Sequence, residues 1–120
     1  MFFQKKIESF GYALKGLQIA WKEEQNFRFE IACAIITILL SIFLHLSKIE
    51  FVIIIFMIGF VLATETLNTA LEELCDKFQP THDPHIAKIK DLAAAAVLIS
   101  AVSALIVGAM IFIPHLSQYL

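Results

Sequence analysis

From Leu92 to Ile113 the chain runs for 22 residues without a single charged side chain. A helix of roughly 17–25 mostly apolar residues crosses a bilayer. Few water-soluble folds can hide such a segment in a chain of only 120 residues, because a domain this small leaves about a third of its unfolded surface exposed. Two further apolar blocks point the same way. Ile31 to Leu46 carries no formal charge, and a second block opens at Phe51, uncharged through Thr64, with its helical pattern continuing to Phe78. The first block is short and needs Phe27 and Phe29 to span. The second spans if its polar half faces protein rather than lipid. Composition agrees: hydrophobic residues are 59% and charged residues 17%, with a mean hydropathy of +0.80. Disorder is excluded by the same composition. The net charge of −2 argues against a nucleic-acid partner.

Ahead of these blocks, Phe3, Ile7, Phe10, Leu14, Leu17 and Trp21 recur every three or four residues, and Lys5, Lys6, Glu8, Lys15 and Lys22 occupy other positions. This pattern predicts an amphipathic helix lying in the membrane interface, with Trp21 and Tyr119 as interface anchors. The expected architecture is all-α and a single domain, 1–120. A surface helix occupies 1–26, and transmembrane helices occupy about 27–47, 51–78 and 88–113. No cleavable signal peptide is expected.

Basic residues set the orientation. Lys5, Lys6, Lys15, Lys22 and Arg28 precede the first span, Lys77, Lys88 and Lys90 lie between the second and third, and only Lys48 falls between the first and second. The N-terminus and second loop are therefore expected in the cytoplasm, and the C-terminus outside. Ala96, Ser100, Ala104 and Gly108 form a ladder of small residues in the third span, a face for close helix packing. Cys33 and Cys75 have neither disulfide nor zinc spacing. His82 and His85 read as residues of a solvated loop, and His45 and His115 as interfacial.

The costly residues are in the second block. With about 100° per residue and Glu65 at 0°, Asn68 falls at about −60°, Glu72 at about −20° and Asp76 at about +20°. Glu73, at about +80°, is off this stripe. Three like charges on one face need a cation, either from Lys or Arg of another helix or from a divalent metal. Glu65 lies deepest and is a functional candidate by its depth alone. Glu24 and Arg28, spaced i, i+4 as an ion pair, and Lys88, Lys90 and Asp91 approach the same leaflet. As structure alone, they read as a helix pair and interfacial anchors.

The segments Gly11-Tyr12-Ala13-Leu14-Lys15-Gly16-Leu17, Trp21 to Arg28, Glu65 to Asp76 and Lys90 to Leu98 resemble the small prokaryotic diacylglycerol kinase family, which includes undecaprenol kinases. That resemblance implies a homotrimer of three-span chains in the bacterial cytoplasmic membrane, with shared active sites. It implies transfer of the γ-phosphoryl of Mg-ATP to a lipid hydroxyl: diacylglycerol to phosphatidic acid, or alternatively undecaprenol to its phosphate. By the same resemblance Glu65 is the catalytic base with Asn68 beside it, and Glu24 and Glu72 hold Mg²⁺. Lys5, Tyr12, Glu24, Glu72, Asp76, Lys90 and Asp91 contact nucleotide, while Arg28, Glu30, Trp21 and Ala94 support the site. The loop reads Thr81-His82-Asp83 where the family usually has Glu-Tyr-His. A remaining alternative is an oligomeric ion or proton conduit, which would need polar residues at every depth; Phe51 to Gly59 offers none.

Overall fold

The computed structural model describes residues 1–78 and 83–120. Four helices follow one another: α1 (Phe2–Glu23), α2 (Gln25–Phe43), α3 (Lys48–Phe78) and α4 (Pro84–Ser117). The last three are long and apolar enough to cross a membrane. The second loop falls partly outside the described residues, which include neither Thr81 nor His82.

Local chemistry sets the helix ends. Glu24 is extended, with φ −109° and ψ 106°, so α1 and α2 are separated by a single residue. The i, i+4 ion pair expected between Glu24 and Arg28 is therefore absent, because that spacing brings side chains together only on a continuous helix. α2 closes in a Schellman turn. The Leu46 N–H donates to Ser41 O at 3.2 Å and the His45 N–H to Ile42 O at 3.1 Å, while His45 takes the left-handed conformation, φ 56°. At 19 residues α2 is about 28 Å long, just the thickness of the hydrocarbon, and it includes Phe27 and Phe29.

α3 opens with a capping box. The Glu50 N–H donates to Ser47 Oγ at 3.2 Å, and the Ser47 N–H to Glu50 Oε1 at 2.9 Å. Its 31 residues extend about 46 Å, well beyond the hydrocarbon. The polar second half therefore need not be wholly submerged. α4 begins earlier than its apolar run, because Asp83 caps it. Asp83 Oδ1 accepts from the N–H groups of His85 at 2.8 Å and Ile86 at 3.2 Å, and Pro84 occupies the first turn, where no N–H is needed.

α3 and α4 form the most extensively packed pair, with α2 against α3 and α1 against α2. They run antiparallel: Glu50 near the start of α3 meets His115 near the end of α4, and Asp76 near the end of α3 meets Lys90 near the start of α4. Buried residues are few and include Phe27, Leu44, Ile54 and Ile111. Ser41 and Ser100 are almost wholly enclosed, at 1% and 0% exposure. Each hydroxyl returns its hydrogen bond to its own helix, Ser41 to Thr37 O at 2.7 Å and Ser100 to Val97 O at 2.8 Å. This lets a hydroxyl sit where a small residue is needed for close approach. Of the small-residue ladder, Ser100 is thus packed and Ala96 is exposed. Ala104 and Gly108 line an apolar groove of about 520 Å³ between α2, α3 and α4. Most large apolar side chains face outward, as lipid-facing residues do.

Candidate functional site

Polar groups gather at one end of this bundle, where the α1–α2 joint, the second half of α3 and the start of α4 meet. Glu65 is the most enclosed carboxylate, 7% exposed. It lies within electrostatic reach of Glu24 from the joint and of Glu72 two turns on, and Glu30 of α2 faces it. One turn after Glu65, Asn68 donates from Nδ2 to Glu72 Oε1 at 3.3 Å. Asn68 Oδ1 and Glu30 Oε2 are shielded from solvent with no hydrogen-bond partner among the described residues. Unpaired buried acceptors are uncommon and invite a donor.

The cations nearby are engaged elsewhere. Lys90 Nζ sits 2.7 Å from Asp76 Oδ1. Arg28 Nη1 donates to Trp21 O at 2.6 Å and to Lys22 O at 3.2 Å. Among the described residues, Glu24, Glu65 and Glu72 have no ion-pair partner. No group of three or more ligating side chains among those residues is close enough to enclose a metal. Mg²⁺ makes no such demand, since it binds through one or two carboxylates with substrate phosphates and waters supplying the rest. A set of carboxylates without direct ion pairs, with Lys90 only within electrostatic reach of Glu72, fits that ion.

A cavity of about 350 Å³ opens between α1, α2 and α3. Glu65 lines it together with Gly16 and Ala20 of α1, Glu24 of the joint, Phe27 of α2, and Thr66, Thr69 and Glu73 of α3. Glu73, Thr66, Thr69, Gly16 and Phe27 are not among the site residues expected from the sequence. The helical wheel of α3 ranks residues by angle but does not say that α1 covers the sector of Thr69, Glu73 and Thr66, at about +40°, +80° and +100°. Glu65 at 0° borders both this cavity and the Glu72–Asp76 stripe that α4 faces.

Other expected site residues are distributed less tightly. Asp91 and Ala94 lie exposed on α4, near Lys90. Trp21 is half exposed and contributes its carbonyl to Arg28. Lys5 and Tyr12 lie on exposed stretches of α1, about 28 Å and 18 Å along the helix from Glu24. Tyr12 contacts Lys15, whose Nζ lies 5.8 Å from its ring centre. A single chain does not bring these two residues to the carboxylates.

The fold and the site define a multi-span membrane protein with a cluster of carboxylates gathered at one end of its bundle. The sequence profile of prokaryotic diacylglycerol kinase matches residues 11–112. An undecaprenol kinase of Bacillus subtilis is 38% identical over 110 residues, 92% of this chain and 89% of that protein. A diacylglycerol kinase of Escherichia coli is 30% identical over 113 residues, 94% of this chain and 93% of that protein. One from Haemophilus influenzae is 37% identical over 94 residues, 78% of this chain and 80% of that protein. The chain belongs to the prokaryotic diacylglycerol kinase family, a family of membrane lipid kinases.

Proposed function

We propose that this protein transfers the γ-phosphoryl group of Mg-ATP to the hydroxyl of a membrane lipid, converting diacylglycerol to phosphatidic acid. One observation carries the assignment of the site. Glu65 is enclosed between α1 and α3, within reach of Glu24 and Glu72, and no described cation forms an ion pair with any of the three. Undecaprenol is the second reading, favoured by the identity with the Bacillus subtilis enzyme.

In this reading the lipid enters from the bilayer and presents its hydroxyl to Glu65, which accepts the proton as the oxygen bonds to the γ-phosphorus. The bond from that phosphorus to the β–γ bridging oxygen breaks, and ADP leaves with the electron pair. Phosphoryl transfer asks chiefly for positioning and for neutralised charge. Glu24 and Glu72 would hold Mg²⁺, which neutralises phosphate charge when bound. Asn68 holds the Glu72 carboxylate in place, as its 3.3 Å hydrogen bond supports. Lys90 and Asp76 meet the nucleotide at the α3–α4 end, Lys90 exchanging part of its pairing with Asp76 for phosphate, with Asp91 beside them. Arg28, Glu30, Trp21 and Ala94 support the site. The exposed Lys5 and Tyr12 reach nucleotide through assembly into a homotrimer, in which α1 lies along the interface as an amphipathic helix. The N-terminus and the loop before α4 face the bacterial cytoplasm.

The test is an assay of purified protein with γ-labelled Mg-ATP and vesicles containing diacylglycerol or undecaprenol. Label is expected in phosphatidic acid; label only in undecaprenyl phosphate selects the second reading. Folded protein that labels neither lipid contradicts both. In the same assay, co-assembled Glu24→Gln and Glu72→Gln chains are expected to recover activity if each site draws on two subunits. No recovery places each site within one chain.

A further inference from the structure

Every helix leaves its last four carbonyls without partners inside the helix. At the end of α1 these groups meet an unusual neighbour. Arg28, in the first turn of α2, reaches back across the joint and donates Nη1 to the carbonyls of Trp21 and Lys22, 2.6 Å and 3.2 Å away. Its charge also lies at the negative end of the α1 dipole. Between the two helices only Glu24 departs from helical geometry, so the direction of α1 depends on two soft torsions at that residue. Ala20 and Phe27 are the buried residues beside the joint, and α1 is otherwise exposed along its length.

We infer that Arg28 is a positioning residue: by tying the last carbonyls of α1 to α2, it fixes the backbone of Glu24 and so the direction from which the Glu24 carboxylate enters the cavity it shares with Glu65. This rests on the reading of Glu24 as an ion-holding residue. The geometry distinguishes it from a simple ion pair. Arg28 does not neutralise Glu24, which stays available to a cation, and it acts through main-chain atoms on the far side of the joint. A rotation at Glu24 would swing its own side chain away from the ion it is read as holding, which weakens ion binding and leaves the reacting groups in place. Both bonds come from the one nitrogen Nη1, so lysine, a point charge on a shorter stem, is a partial substitute.

The experiment compares full-length Arg28→Ala and Arg28→Lys with the parent protein in bilayer discs. Three quantities are measured: the Mg²⁺ concentration at half activity, turnover at saturating Mg²⁺, and the distance distribution between spin labels at Ile7→Cys on α1 and Leu39→Cys on α2, in a background with Cys33→Ala and Cys75→Ala. Arg28→Ala is expected to broaden the distance distribution and to raise the half-activating Mg²⁺ about tenfold, the scale of one lost charged hydrogen bond. Turnover at saturation should hold, and Arg28→Lys should fall between. An unchanged distance distribution in Arg28→Ala overturns the inference. So does a fall in turnover with unchanged Mg²⁺ dependence, which would put Arg28 on the reacting groups. Glu24→Gln in the same titration separates the two readings. If it shifts the Mg²⁺ dependence while Arg28→Ala does not, the positioning role fails alone; if neither shifts it, the role of Glu24 fails with it.

Discussion

Glu65 and Glu72 share a helix face and a side-chain type, but their surroundings differ, and different roles are expected of them. Glu65 is enclosed; Glu72 is exposed and held by Asn68. Measured from Phe51, about 20 residues of α3 fill the hydrocarbon, which leaves Glu65 inside its edge and Glu72 beyond it. Glu72→Gln is therefore expected to weaken Mg-ATP binding, with part of the loss recovered at high Mg²⁺. Glu65→Gln should keep nucleotide and Mg²⁺ affinity while turnover falls about 10²–10⁴-fold, the usual contribution of a positioned base. Titrations of both variants in one lipid mixture check this. A Glu65→Gln protein with near-parental turnover, or one rescued by Mg²⁺, contradicts the assignment. The stripe itself is legible in the sequence, because helical spacing alone aligns Glu65, Asn68, Glu72 and Asp76. The partners are not. That Lys90 meets Asp76, and that Arg28 seeks carbonyls instead of Glu24, depends on how separate helices dock and on one extended residue.

At the scale of elements, the α3–α4 hairpin is tied at both ends by polar contacts. At the end opposite the carboxylates, His115 Nε2 lies 3.1 Å from both Glu50 oxygens, while Glu50 also closes the capping box with Ser47. Both residues are only partly exposed. Glu50→Gln and His115→Gln are each expected to lower the melting temperature in detergent by a small amount. The double variant should fall no further than the worse single one, since the two changes remove one shared contact. Fully additive losses would show that the two side chains stabilise the hairpin separately. The capping box at Ser47-Lys48-Ile49-Glu50 and the Asp83-Pro84 cap start α3 and α4 ahead of the spans expected from 51 and 88, which follow the apolar runs alone. The pairing with His115 was not readable from the sequence, because it joins residues 65 positions apart.

For the whole molecule, the apolar runs made three spanning helices evident, and the bias of Lys and Arg implied an orientation. The cavity was hidden because it lies between helices: α1 covers a sector of α3 that no single-helix pattern identifies, and Glu73 enters the site from there. Phosphoryl transfer is expected at the end of the bundle that carries the α1–α2 joint and Lys90. ATP does not cross a bilayer, so sidedness tests this directly. With the protein in sealed vesicles of mixed orientation, the fraction with α1 outward is obtained from protease cleavage of α1. The initial rate of lipid phosphorylation by external Mg-ATP is then compared before and after the vesicles are permeabilised. The ratio of the two rates should equal the fraction with α1 outward. A ratio that tracks the opposite orientation, or no phosphorylated lipid under either condition, would contradict the account.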